Sequence, residues 1–283
     1  MPKHTVCLTF DFDAVSLWIT RGMTTPTPIS RGEFGAFAAE RLLNLLNKYR
    51  IKATWFVPGH TIESFPEICS RIHKEGHEIA SHGYAHESPL NLPREKEEAT
   101  LVRSRDVIRH LTGYNPKGYR SPAWDLSTNS VELLLKLDFQ YDSSMMARDY
   151  LPYWVRLGDV ITPDAPAKFG NPVNLIELPP SWSLDDWPHF EYVRNPTYLQ
   201  PGLTRADDVL HNWFDDFRYM KQTVKWGTII YTLHPQVIGR GHRILMLEQL
   251  IRQLKRSGAV FARMDAVADE FARRSPLDEV RGA

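Results

Sequence analysis

The chain has 283 residues, 42% hydrophobic and 24% charged, with 34 basic and 34 acidic side chains. These are values of a globular chain, and the balance of charge gives no basic excess that would recommend nucleic acid or an anionic membrane as a partner. No run approaches the roughly 18 apolar residues of a membrane span. The first residues (MPKHTVCLTFDFDA) show no leader-like apolar core, and the only cysteines are Cys7 and Cys69. A reduced, disulfide-free, cytoplasmic protein is therefore expected.

The length suits one α/β domain. In chain order, short β-branched and nearly all-apolar runs fall at 5–11, 53–58, 77–81, 117–121, 139–143, 174–179 and 227–233. They read as strands buried on both faces. Helical patterns lie at 33–50, 61–75, 94–112, 128–138, 204–226 and 242–257. In the first, Phe34, Phe37, Ala38, Leu42, Leu45, Leu46 and Tyr49 form one apolar stripe. Ser127 suits a helix start, and Gly113 suits a helix end. Strand–helix alternation argues for a parallel sheet with right-handed crossovers. A nearly closed barrel and an open doubly wound sheet both accommodate seven strands. Residues 145–203, rich in Pro, Trp and Asp, read as binding loops. The polar end after Arg273 is expected to fray, leaving 1–274 as the domain and 275–283 as a tail.

Each strand runs out into polar residues. The first ends at Asp11 and Asp13, the second at His60, the third before His82 and His86, the fourth at Arg120 and the fifth at Asp142. The sixth runs toward Asp185 and Asp186, and the seventh ends at His234. In α/β barrels and open α/β sheets the site lies at these carboxyl ends. His82 and His86, four apart, share one face if a helical turn carries them, and can then share a metal ion; the bare pattern also occurs in polar surface loops. A catalytic metal set needs a carboxylate as well. Asp11 and Asp13 flank Phe12, so in strand geometry both point to one face. One can bind a metal while the other handles protons.

These segments resemble the polysaccharide deacetylases (carbohydrate esterase family four). Thr9-Phe-Asp-Phe-Asp13 resembles the first motif, Thr-Phe-Asp-Asp, with Phe12 inserted. His82-Gly-Tyr-Ala-His86 resembles the second, and Arg120-Ser-Pro-Ala-Trp124 the third, with Ala123 at the usual aromatic. Asp186-Trp187 and Leu233-His234-Pro235 resemble the fourth and fifth. The matches follow the family's order from Thr9 to Pro235. The Phe-Asp-x-Asp-Ala variant is similar to a branch containing unusual peptidoglycan deacetylase-like proteins and cyclic imide hydrolases, with allantoinase-like enzymes as relatives.

The resemblance implies an irregular, TIM-like (β/α) barrel of about seven parallel strands. It implies a divalent metal, zinc foremost, on Asp13, His82 and His86. Asp11 would be the general base, oriented by Arg120, which Asp186 would steady. His234 would be the general acid, and the backbone N–H near Ala123 would stabilise the oxyanion. His60, Trp124, Trp182 and Trp187 are further candidates for substrate contact. Each has a structural reading too: Arg120 as a buried ion pair, His234 as a loop histidine, His60 as a satisfied core histidine, and the tryptophans as packing. Asp142 reads as structural.

Two reactions share this chemistry. One is N-deacetylation of an acetylated amino sugar, which wants an open groove for an oligosaccharide. The other is hydrolysis of a small cyclic imide, which wants a pocket roofed by 145–203 and by Trp18 to Ile29. A catalytically dead carbohydrate-binding barrel would lack one of the proposed residues, and all are present. The branch also implies a homo-oligomer, tetramer or dimer.

Overall fold

The computed structural model of the chain describes residues 4–195 and 198–281. The first half runs β1 (His4–Asp11), α1 (Ser16–Thr20), α2 (Pro26–Tyr49), β2 (Thr54–Val57), α3 (Gly59–Ser64), α4 (Pro66–Lys74), β3 (Glu78–Ser81), α5 (Arg94–Thr112), β4 (Gly118–Tyr119), α6 (Ser130–Lys136) and β5 (Tyr141–Asp142). The second half runs β6 (Tyr153–Leu157), β7 (Val160–Thr162), β8 (Ala165–Lys168), β9 (Asn171–Glu177), α7 (Asp186–Phe190), β10 (Val193–Asn195), β11 (Tyr198–Gln200), α8 (Ala206–Thr223), β12 (Gly227–Leu233), α9 (Pro235–Ile238), α10 (Gly241–Arg256), β13 (Val260–Phe261), α11 (Met264–Arg274) and α12 (Leu277–Arg281).

Strand β1 shows how the sheet is built. Val6, Leu8 and Phe10 pack against the surrounding helices, while Cys7, on the other face, joins Phe56, Ala80, Tyr141, Ile176 and Ile230 inside the curl. Among the described residues, β12, β1, β2, β3, β4, β5 and β9 lie side by side in parallel. These are the seven expected strands, in chain order except that the last returns beside the first. Strand β6 adds an antiparallel edge on β9, and β13 pairs with the start of β1. The curl is an incomplete barrel. Between β9 and β12 the chain passes as an irregular segment, touching β12 by one bridge, Asp185 to Thr232.

The helices depart from expectation at their ends. Helix α2 starts at Pro26 rather than near 33, because Pro26 and Pro28 both sit in the first turn, where no N–H partner is lost. Phe37 is 55% exposed and leaves the expected core stripe; the buried face is instead Ala38, Ala39, Leu42, Leu43, Leu45 and Leu46. Arg41 and Arg240 cover Phe37 and Phe34. The 61–75 pattern is two helices, parted at Phe65–Pro66. Gly113 ends α5 with φ +85°, the left-handed turn that favours glycine. The irregular region contains the hairpins β7–β8 and β10–β11. The polar end forms α12, and Trp154 Nε1 donates to Ser275 O (2.8 Å). Cys7 and Cys69 are buried free thiols, and burial pushes both up to about 12.

At the foot of the barrel, His77 packs at the entrance to β3. Its Nδ1 accepts the Ala53 N–H at 3.0 Å. Burial, with Lys52 nearby, pushes its pKa down to about 4. The folded chain therefore holds a neutral imidazole where the unfolded chain gains a proton below about 6.5. Stability should be full above that value and fall as pH drops toward about 4. His77→Gln should flatten the fall in thermal midpoint between about pH 6.5 and pH 4.5. An unchanged slope in the variant would remove His77 as its source.

Candidate active site

The alternation in β1 places the acids. Thr9 and Asp11 share the inner face with Cys7, while Phe10 and Phe12 are fully buried outside it, both against Trp55. Phe12 thus continues the strand's alternation one step past the sheet, and Asp13 turns inward with Asp11. Beyond Asp13 the chain turns tightly. The Asp13 carbonyl accepts the Ser16 N–H, the Ser16 hydroxyl and the Thr61 hydroxyl. Ala14 holds φ +48° there, and Gly32 of α2 lies so close that a Cβ would stand 2.7 Å from the Ala14 backbone.

A cavity of about 410 Å³ opens at the carboxyl ends of the strands. Asp11, Asp13, His82, His86, Asp185 and His234 line it, together with Ala123, Trp124, Trp182 and Trp187. Asp13 is 1% exposed, and neither carboxylate oxygen has a hydrogen-bond partner among the described residues. Around it stand His82 Nε2 at 3.4 Å, His86 Nε2 at 3.8 Å and His234 Nε2 at 3.9 Å. An unpaired buried carboxylate is costly unless something else satisfies it. Burial raises the Asp13 carboxyl, but the imidazoles of His86, His82 and His234 hold it well below the ordinary carboxylate range. Burial pushes His86 down to about 4, which favours a neutral ligand imidazole. His82 Nδ1 lies 2.7 Å from the Arg120 carbonyl, so Nδ1–H donates and Nε2 turns its lone pair toward Asp13. One donor atom from each of Asp13, His82 and His86 lies within 4.8 Å of the others. An anionic oxygen and two imidazole nitrogens, with the carboxylate otherwise unsatisfied, fit a divalent metal.

The two histidines do not share a helical turn. They lie on a loop after β3, where Gly83 (φ +70°) and His86 (φ +65°) reverse the chain and bring the rings edge to face at 5.1 Å.

Asp11 and Arg120 pair as expected. Arg120 is fully buried, and its Nη1 donates to Asp11 Oδ1 at 2.6 Å and to Thr9 Oγ1 at 2.9 Å. Asp186 does not steady it. That task falls to Ser143, whose carbonyl and hydroxyl accept from Nε (3.2 Å) and Nη2 (2.9 Å), with the Phe56 ring 4.1 Å beneath the guanidinium. Asp142 is structural, as read: it accepts from the Ser144 hydroxyl behind Arg120.

Asp186 serves His234 instead. It accepts the His234 backbone N–H and lies 2.7 Å from Nδ1, which leaves Nε2 turned toward Asp13. Asp185, not assigned a role from sequence, lines the cavity 3.5 Å from His234 Nδ1 and caps α7 through the Trp187 N–H. Burial raises Asp185 to about 8 and raises Asp186 also. Burial alone would lower His234, but Asp185 and Asp186 outweigh it and hold it up to about 10, which favours the protonated ring. The triad Asp185, Asp186 and His234 also brings donor atoms close together, but its 2.7 Å contact makes it an ion pair.

Ala123 (φ +55°) and Trp124 (φ +59°) form a strained rim, and Trp124 stacks on the half-exposed Trp182 at 4.0 Å. Trp187 lies 5.3 Å from the His234 ring. His60 is not part of the cavity lining. It packs beside Tyr84, within 3.4 Å of the Ser64 hydroxyl, so it is no substrate contact in this structure. Leu17, Arg21, Pro188, Tyr198 and Gln200 complete the lining. In sequence they carry no motif, and only their place in the fold reveals them.

A curled parallel sheet with acids, imidazoles and a paired arginine at its strand ends defines a hydrolase site. The model of the polysaccharide deacetylase family matches residues 1–141. A peptidoglycan deacetylase of Helicobacter pylori is 37% identical over 281 residues, covering 94% of this chain and 95% of its own. A peptidoglycan deacetylase-like protein of Gibberella zeae is 29% identical over 293 residues, covering 94% of this chain and 86% of its own. The crystal structure of a polysaccharide deacetylase-like protein from Mycobacterium smegmatis superposes with a TM-score of 0.85 at 29% identity, over 96% of this chain and 91% of that one. The chain belongs to the polysaccharide deacetylase family and is a hydrolase of carbon–nitrogen bonds other than peptide bonds.

Proposed function

We propose that the chain is a metal-dependent N-deacetylase acting on an acetylated amino sugar. The observation that carries this is the buried, unsatisfied carboxylate of Asp13 ringed by imidazole nitrogens at 3.4, 3.8 and 3.9 Å. Asp13, His82 and His86 would hold a divalent ion, zinc foremost. When bound, such an ion polarises an amide carbonyl and brings water near deprotonation at neutral pH.

The chain's own groups do the rest. Asp11, fixed by Arg120 at 2.6 Å, receives the proton of the attacking water. His234 stands at the end of β12, the strand beside β1, with Nε2 3.9 Å from Asp13, and would deliver the proton that the departing amine needs. Its Nδ1 is held by Asp186, so Nε2 is the donating atom. The backbone N–H at Ala123, on the strained rim of the cavity, would donate to the oxyanion. Trp124, Trp182 and Trp187 offer flat apolar faces for a sugar ring.

Acetate release from an N-acetylglucosamine oligomer and ring opening of succinimide, measured side by side, test the substrate. The reading predicts acetate release and little imide opening. Imide opening without acetate release would replace the sugar by a small cyclic imide.

A further inference from the structure

We propose that Arg21 binds a carboxylate of the substrate, so that the preferred substrate is an amide carrying a negative charge. This rests on the hydrolase reading of the same cavity. Arg21 follows α1, the short helix that the chain makes as soon as it leaves Asp13, and its side chain lines the cavity with the catalytic acids. It is the only arginine or lysine among the described lining residues. It makes no ion pair and donates no side-chain hydrogen bond among the described residues; its guanidinium carbon lies 5.3 Å from the Trp187 ring, and Asp13 and Tyr198 attract it across the cavity.

Other charges around the cavity are spoken for. Arg120 pairs with Asp11, and His234 with Asp185 and Asp186. Arg31 pairs with Glu191, and Arg243 donates to the carbonyls of Val237 and Phe190. Asp13 belongs with His82 and His86. Arg21 is the charge left over, and a planar guanidinium is shaped for a carboxylate.

The platform beneath it is rigid. Gln200 Oε1 accepts from Trp187 Nε1 and from the Tyr198 hydroxyl, both at 2.9 Å, and Gln200 Nε2 donates to the Trp187 carbonyl at 2.9 Å. On the other side, the Thr20 hydroxyl donates to the Ala85 carbonyl, tying α1 to the loop that carries His86. The Trp187 ring and the end of α1 are thus held on either side of Arg21, whose own exposed side chain can reach into the cavity.

The test compares binding, by calorimetry, of N-acetylmuramic acid and N-acetylglucosamine, which differ by a lactyl carboxylate. Succinamate and propionamide form a second, sugar-free pair, and acetate release is followed alongside. The wild-type chain should favour each acid over its neutral partner by roughly 10- to 100-fold, the worth of one charge-assisted contact. Arg21→Gln should erase that preference by weakening the acids far more than their neutral partners, and Arg21→Lys should recover part of it. Equal affinities in the wild type, a preference that survives Arg21→Gln, or no binding in either pair would overturn the proposal. Preference within the small pair without acetate release from any sugar would keep Arg21's role and remove the sugar-deacetylase reading. Acetate release with no preference in either pair would remove Arg21's role alone.

Discussion

Asp13→Ala is expected to abolish both metal binding and acetate release. The loss of metal affinity should exceed the roughly 10- to 100-fold that follows removal of an outer-shell partner, because a direct ligand is gone. The effect on stability follows from the charges around Asp13. In the metal-free chain the imidazoles of His86, His82 and His234 hold the buried carboxylate in its charged form, so replacing it removes a favourable partner. The metal-free variant should melt below the metal-free wild type at neutral pH. Added metal should raise the wild-type midpoint, by about 2.7 kcal/mol of stability at one hundred times Kd, and leave the variant unmoved. Elemental analysis and thermal melts with and without metal read both parts. Wild-type metal content in the variant would remove Asp13 as a ligand.

His234→Asn is expected to lower kcat by roughly 10²- to 10⁴-fold on an amide and much less on an activated ester. An amine leaves as a neutral species only after receiving a proton. A 4-nitrophenolate leaves without one. Asp185 and Asp186 favour the protonated form of His234. The asparagine amide can still donate to Asp186 and preserve that contact. Rates on an N-acetyl amino sugar and on 4-nitrophenyl acetate, measured with the same variant, separate the roles. An equal fall on both would make His234 a positioning residue rather than the acid.

Much of the framework was legible because burial imposes a simple code. Short apolar runs between amphipathic segments gave all seven parallel strands, and polar residues at their ends gave the floor of the cavity. The inserted Phe12 was legible too: strand alternation sends Phe12 outward and both aspartates inward. Other features were not. Strands β7 and β8 are exposed along their whole length, so no apolar alternation marks them. The early start of α2 hides behind two prolines that ordinarily signal a break. Helix α11 does show a buried stripe, Met264, Val267, Ala268 and Phe271, but the sequence expectations stop short of it.

Within the site, residue types were readable and partnerships were not. Asp186 sits beside a motif, yet whether it serves Arg120 or His234 depends on how the segment after β9 crosses to β12. The spacing of His82 and His86 suggests a helix, while two left-handed residues produce the same convergence from a loop. Ser143 replaces Asp186 as the support of Arg120 through a carbonyl as well as its hydroxyl, and a carbonyl leaves no trace in sequence. Arg21 reads as any surface arginine until α1 is seen folded over the cavity.

The most direct test of the central claim is metal titration of chelator-stripped protein, with acetate release from an N-acetylglucosamine oligomer followed at each addition. Activity absent at the start and rising linearly to a plateau at one metal per chain is the predicted result. Full acetate release by the stripped protein, or metal bound one to one without any gain in rate, would contradict it.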